Sequence, residues 1–188
     1  MPPKIDALPA QTLICHPATT APAVQAIDVS ARFADDGALL LRYRIAAAPA
    51  ALRLPPPQAP GPADNLWQHT CCEAFIAAVN LPEYREFNFS PSGQWAAYRF
   101  SDYRQPDPAF QPASAPRIEL DSGADYLELR ARLDARLLPT CPQLQLGLTA
   151  VIEAADGSKS YWALRHAAAQ PDFHLRQSFA LTLPRNTP

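Results

Sequence analysis

Twenty-two prolines against six glycines set the first limit on what this 188-residue chain can become. Proline carries no amide hydrogen and holds φ near −65°, so it breaks helix interiors and is confined to the ends and edges of sheets. Spread this densely, it leaves short extended segments joined by stiff loops and excludes a mostly helical fold. Hydrophobic residues make up 48% of the chain and charged residues 18%. That is enough apolar material for one core, and the length suits a single domain over residues 1–188.

The extended segments announce themselves by period-two alternation. In Leu39 to Ile45 the residues Leu39, Leu41, Tyr43 and Ile45 point inward while Arg42 and Arg44 point outward, and with Val24 to Phe33 this reads as a hairpin across Asp35-Asp36-Gly37. Tyr126 to Leu133 alternates Leu127, Leu129, Ala131 and Leu133 with Glu128, Arg130 and Arg132. Further strands are expected at Gln94 to Phe100, Ile118 to Leu120, Leu144 to Ile152, Ser160 to His166 and Phe179 to Leu183, with one helical turn at Asp134 to Leu138. Two proline-rich stretches, after Ile45 and from Tyr103 to Pro116, read as long loops within one domain. The pattern predicts an all-β sandwich of roughly nine to eleven strands with two long proline-rich loops.

The most informative stretch runs from Leu66 to Tyr98. If Cys71, Glu73 and Phe75 share one face of a strand, Cys72, Ala74 and Ile76 share the other; Glu86, Asn88 and Ser90 likewise oppose Arg85, Phe87 and Phe89. Antiparallel pairing of the two brings Glu73 near Glu86 or Asn88, with Trp67 and Trp95 at the ends. Aromatic walls with carboxylate and amide groups between them suit a hydroxyl-rich ligand. A carboxylate inside an otherwise apolar strand needs a reason, and for Glu73 the alternatives are a structural ion pair with Arg85 or Arg99 or hydrogen bonds to a ligand.

Other functions are disfavoured. The formal net charge of −2 gives no basic face for nucleic acid. No apolar run reaches the ~20 residues that span a bilayer, so no membrane partner is expected. The first residues lack the continuous hydrophobic core of a secretory signal, which, for a complete chain, points to the cytoplasm. Cys15, Cys71, Cys72 and Cys141 show no disulfide spacing and are expected as free thiols. His69, Cys71 and Glu73 share a strand face, but such positions lie about 7 Å apart and do not converge on a metal without a bend.

Leu66-Trp67-Gln68, Glu73, the block from Tyr84 to Trp95, Trp162-Ala163-Leu164-Arg165-His166 and Pro171-Asp172-Phe173-His174 together resemble the DOMON-like group related to family 9 carbohydrate-binding modules. The resemblance implies an immunoglobulin-like sandwich that binds a small ligand and does no chemistry. It also implies that Trp67 and Trp162 clamp a sugar whose hydroxyls Glu73 and Asn88 hold. The expected ligand-binding set is therefore Trp67, Glu73, Glu86, Asn88, Trp95, Trp162 and His166, with no catalytic residue and no cofactor, and a saccharide or polyol as partner. The rival readings are a haem- or metal-binding relative, using histidines such as His166 and His174, and a protein-interaction sandwich with a flat apolar face over Trp67. Carboxylate-pair catalysis by Glu73 and Glu86 needs a deep cleft, for which the chain has few residues to spare, and a thiol nucleophile at Cys71 or Cys72 lacks a local signature.

Overall fold

A computed structural model describes residues 9–185 of the chain. Thirteen strands carry the fold. In chain order they begin with β1 (Gln11–Thr12), β2 (Ile14–Cys15), β3 (Ala26–Phe33), β4 (Leu39–Ala46), β5 (Cys71–Ala78), β6 (Tyr84–Phe89) and β7 (Trp95–Asp102). They continue with β8 (Gln105–Pro106), β9 (Arg117–Ser122), β10 (Tyr126–Leu133), β11 (Gln143–Glu153), β12 (Lys159–Ala163) and β13 (Leu181–Pro184). Two antiparallel sheets result, ordered β1-β3-β4-β10-β9 and β2-β12-β11-β5-β6-β7-β8, with β13 also pairing β11. This is the two-sheet β-sandwich that the alternation predicts. The strand count is higher than expected because β1, β2 and β8 are two residues each, too short to leave a periodic signal.

The alternation sets the inner faces as read. Leu39, Leu41, Tyr43 and Ile45 of β4 and Leu127, Leu129 and Leu133 of β10 pack against Cys72, Ala74 and Ile76 of β5 and against Phe87 and Phe89 of β6. One polar bond crosses this core: the Tyr43 phenol donates to the Glu73 carbonyl at 2.6 Å. It satisfies a fully buried hydroxyl and ties the first sheet to the strand that carries the site. On the solvent face of the first sheet, Glu128 is only 2% exposed because Arg42, Arg44 and Arg130 enclose it.

The proline-rich stretch after Ile45 stays in contact with the sandwich. Gln58 N donates to Ser92 O at 2.8 Å, and the Ala63 amide donates to the Trp95 carbonyl at 2.8 Å. These bonds hold the stretch against the second sheet.

The second sheet departs from the expectation of one buried face. All eight residues of β5 are buried, and a second apolar cluster lies on the face turned away from the first sheet. There Phe75, Tyr84, Phe100 and Val151 meet Phe173 and Phe179 from the segment between β12 and β13. β12 ends at Ala163, not at His166, and residues 164–180 return over the sheet as a third layer. Gly147 permits this close approach, since a Cβ there would meet the Phe179 ring at 2.9 Å.

Trp162 is corrected by this arrangement. Its neighbour Ala163 faces the third layer, so the indole points into the core between the sheets, 6% exposed, with Nε1 donating to Ser160 Oγ at 2.9 Å. Trp162→Ala is accordingly expected to cost about 3–5 kcal/mol of stability, the usual range for removing a buried aromatic, as measured by urea denaturation.

Candidate functional site

The register of β5, β6 and β7 builds the site. Glu73 lies opposite Asn88 and Phe75 opposite Glu86, while Asn88 faces Ala96 and Glu86 faces Tyr98. On the other side of β5, Thr149 of β11 lies opposite Glu73. Period two thus delivers Thr149, Glu73, Asn88 and Glu86 to one surface, the face covered by the third layer.

Hydrogen bonds join these groups into a row. Thr149 Oγ1 donates to Glu73 Oε2 at 3.3 Å, and Asn88 Nδ2 donates to Glu86 Oε1 at 2.9 Å. Glu73 Oε1 and Asn88 Oδ1 are both buried with no partner. They belong to directly opposed residues, and a buried acceptor without a donor is costly. Burial pushes the Glu73 carboxyl well above the usual carboxylate range, and the neighbouring Glu86 charge pushes it further. Burial also raises Glu86, to about 7, against the lowering effect of the Asn88 bond and the Arg104 charge. Neither expected ion-pair partner reaches Glu73: Arg85 turns to the Leu137 carbonyl and Arg99 to Asp107.

A second chain of donors approaches Glu86 from the third layer. The Arg104 amide donates to Tyr84 Oη at 3.1 Å, which leaves the phenol proton for His174 Nδ1 at 2.8 Å. The His174 proton then sits on Nε2, 3.7 Å from Glu86 Oε2. His174 is boxed by Phe75 and Phe100, each with its ring centre 5.1 Å away, and burial lowers it to about 4. It is neutral at physiological pH.

Above this row opens a cavity of about 790 Å³. Glu73 and Glu86 form its floor; Phe75, Tyr98, Phe100, Tyr161 and Phe173 form its apolar walls; and Trp67, Arg104, Pro106, Pro171 and His174 are among the other lining residues. Trp67 is 49% exposed, carried on a 3-10 turn (Leu66–Gln68) that follows Asn65 in the left-handed region at φ 60°. Asparagine tolerates that conformation better than most residues. Arg104 is also left-handed, at φ 51°. Its guanidinium binds Asp172 at 3.0 Å while the Tyr103 phenol donates to the same carboxylate at 2.6 Å. This clasp fastens the β7–β8 turn to the third layer.

Of the residues expected from sequence, Trp67, Glu73 and Glu86 line the cavity, and Asn88 lies just beneath it, fully buried and bonded to Glu86. Trp162 turns away, as described. Trp95 does not line the cavity either: opposite Phe89, it borders a separate hollow of about 290 Å³ beside Pro62 and Phe110. His166 lies outside as well, its Nε2 bonded to the Ile14 carbonyl at 2.8 Å and its ring 4.6 Å from His16. His69 is held by Glu153 at 2.7 Å, and among the described residues no group of three or more His, Cys, Asp and Glu side chains is placed to hold a metal ion. The free cysteines Cys71 and Cys72 are buried with raised thiol pKa, burial being the main cause. A cavity, not a flat face, lies beside Trp67. Sequence reasoning missed Tyr98, Phe100 and Arg104, and gave Tyr84 and His174 no place beside the carboxylates. The strand CCEAFIAA did carry a signal, since a run with a single polar residue is typical of a strand covered on both faces.

No family model matches the chain, and no curated protein matches it. Its fold is similar to that of a crystal structure from Bacteroides uniformis ATCC 8492 that bears the provisional name of a carbohydrate-binding protein. The TM-score is 0.68 at 17% identity, over 93% of this chain and 85% of that one. The likeness establishes the β-sandwich architecture. No helix among the described residues is long and apolar enough to cross a membrane.

The buried acids make stability depend on pH with a definite sign. Glu73 and Glu86 titrate near 4.5 when unfolded and higher when folded, so the unfolded chain loses its protons first and stability falls as pH rises between the two values. His174 acts oppositely, but only between about 4 and its ordinary 6.5. Above pH 6.5 the carboxyls act unopposed by it, Glu86 up to about pH 7 and Glu73 as far as its raised value extends, each by up to about 1.4 kcal/mol per pH unit within its own window. The melting temperature should therefore drop from pH 6.5 to 8.5, and Glu73→Gln, a mimic of the protonated acid, should flatten that drop. Identical slopes for the two proteins would show that Glu73 does not fold in its neutral form.

Proposed function

We propose that this protein is a small-ligand binding module, a single domain over residues 1–188, that holds a saccharide or polyol without transforming it. One observation carries the reading: a cavity of about 790 Å³ has aromatic walls and a floor of carboxyl groups. Ring faces pack against the C–H faces of a sugar, while Glu86, with Asn88 behind it, accepts from its hydroxyls. Trp67 is the exposed platform at the mouth, and the β7–β8 turn and Pro171 form the rim. The provisional name of the Bacteroides uniformis structure is consistent with this role.

A few hydroxyl contacts to charged or polar groups, plus one stacking contact, place the affinity in the micromolar to millimolar range. Titration with monosaccharides and disaccharides, followed by NMR, tests the assignment. Trp67→Ala should weaken binding roughly two- to tenfold, the worth of one aromatic contact, and should leave the melting temperature within a few degrees because the indole is half exposed. A ligand panel without any shift at Tyr98, Phe100 or Phe173 would overturn the proposal.

A further inference from the structure

Resting on the saccharide reading above, we propose that the ligand carries a cationic nitrogen: it is a hexosamine whose free ammonium group sits against Glu86 between the rings of the cavity. The argument begins with the direction of the hydrogen bonds. From one side Thr149 donates to Glu73, and Asn88 donates to Glu86. From the other side the donors run from the Arg104 amide to Tyr84 and from Tyr84 to His174. Asn88 and the His174 chain both point at Glu86 and neither continues past it, so Glu86 is the carboxylate of the row. Its second oxygen has only His174 Nε2 nearby, and 3.7 Å is too long for a full hydrogen bond.

That carboxylate is 6% exposed and lines the cavity, yet no cation is committed to it. The groups facing it across the cavity are Glu73, His174, Tyr84, Tyr98 and Arg104. Arg104 is the one cation among them, and its guanidinium is bound to Asp172, whose carboxylate also accepts from Tyr103 and from the His174 amide. Tyr98 spends its proton on Asp64. With the Arg104 guanidinium bonded to Asp172, Glu86 is left as a lining carboxyl with no cation bonded to it. A neutral hexose leaves the Glu86 charge without a counter-charge, which a buried carboxylate needs. An ammonium group provides it, with three donors for the open oxygen. The walls favour the same charge, because ring faces attract cations within about 6 Å.

Matched pairs test this: glucose with glucosamine, galactose with galactosamine and mannose with mannosamine, titrated by calorimetry at pH 7, with N-acetylglucosamine as the bulk-matched uncharged control. At least one hexosamine should bind about tenfold more tightly than its parent hexose, as one charge-assisted bond in a shielded site allows. N-acetylation should remove the gain, and Glu86→Gln should bring the ratio near one. Within wild-type protein the ratio should also shrink at pH 5, where Glu86 is protonated, so the test does not depend on the variant folding. Equal affinities within each pair, a preference that survives Glu86→Gln, or a ratio constant between pH 5 and 7 would overturn the inference. If hexoses bind and hexosamines gain nothing, the amine is wrong and the saccharide reading stands; if no member of any pair binds, both fail.

Discussion

The structure turns on a single constraint: the second sheet is buried on both faces while one of its faces carries carboxyl groups. A carboxylate sealed under protein loses several kcal/mol of hydration unless it is protonated or well partnered. The chain meets that demand in stages. Burial disfavours the charged form of Glu73, Asn88 turns its amide toward Glu86, and burial within a box of rings disfavours the charged form of His174. Every group in the row is oriented by the register of three neighbouring strands, so the electrostatics of the cavity follow directly from backbone pairing.

That pairing is anchored from behind. The Tyr43 phenol reaches across the inter-sheet core to the backbone of Glu73 itself, so the strand that carries this buried acid is fixed against the opposite sheet. The bond also satisfies a polar group in a region otherwise made of aliphatic and aromatic side chains. A slip of one residue along β5 would reverse Glu73 into that core, and the Tyr43 contact is one of the features that excludes it.

The strands, their faces and the meeting of Glu73 with Asn88 and Glu86 were legible in the sequence, because period-two alternation speaks directly to backbone geometry. What alternation does not report is which of two apolar faces receives a cover, and by what. Trp162 illustrates the limit. It lies one residue from a position on the cavity side, and the strand's pleat alone sends it to the core. His166 and Trp95 sat close to the right words of the sequence but at the wrong ends of their elements. Arg104 and Phe100 come from the edge hairpin, and His174 from irregular chain. Their convergence is tertiary, and no local pattern encodes it. The DOMON-like resemblance rests on the sequence words around Glu73, Asn88 and Trp162, and its two-indole clamp does not fit a chain in which one indole is sealed inside the core.

The third layer has a consequence for how the molecule assembles. The strands that bear Glu73 and Glu86 precede residues 164–180 in the chain, so synthesis delivers the sheet before its roof. Until Phe173, His174 and Phe179 dock, water wets the acidic row and its carboxyls ionise in the ordinary range. Closing the roof expels that water and draws protons onto the acids. Closing the roof is thereby a proton-uptake step, and the acidity of the surroundings bears on how readily the cavity is completed.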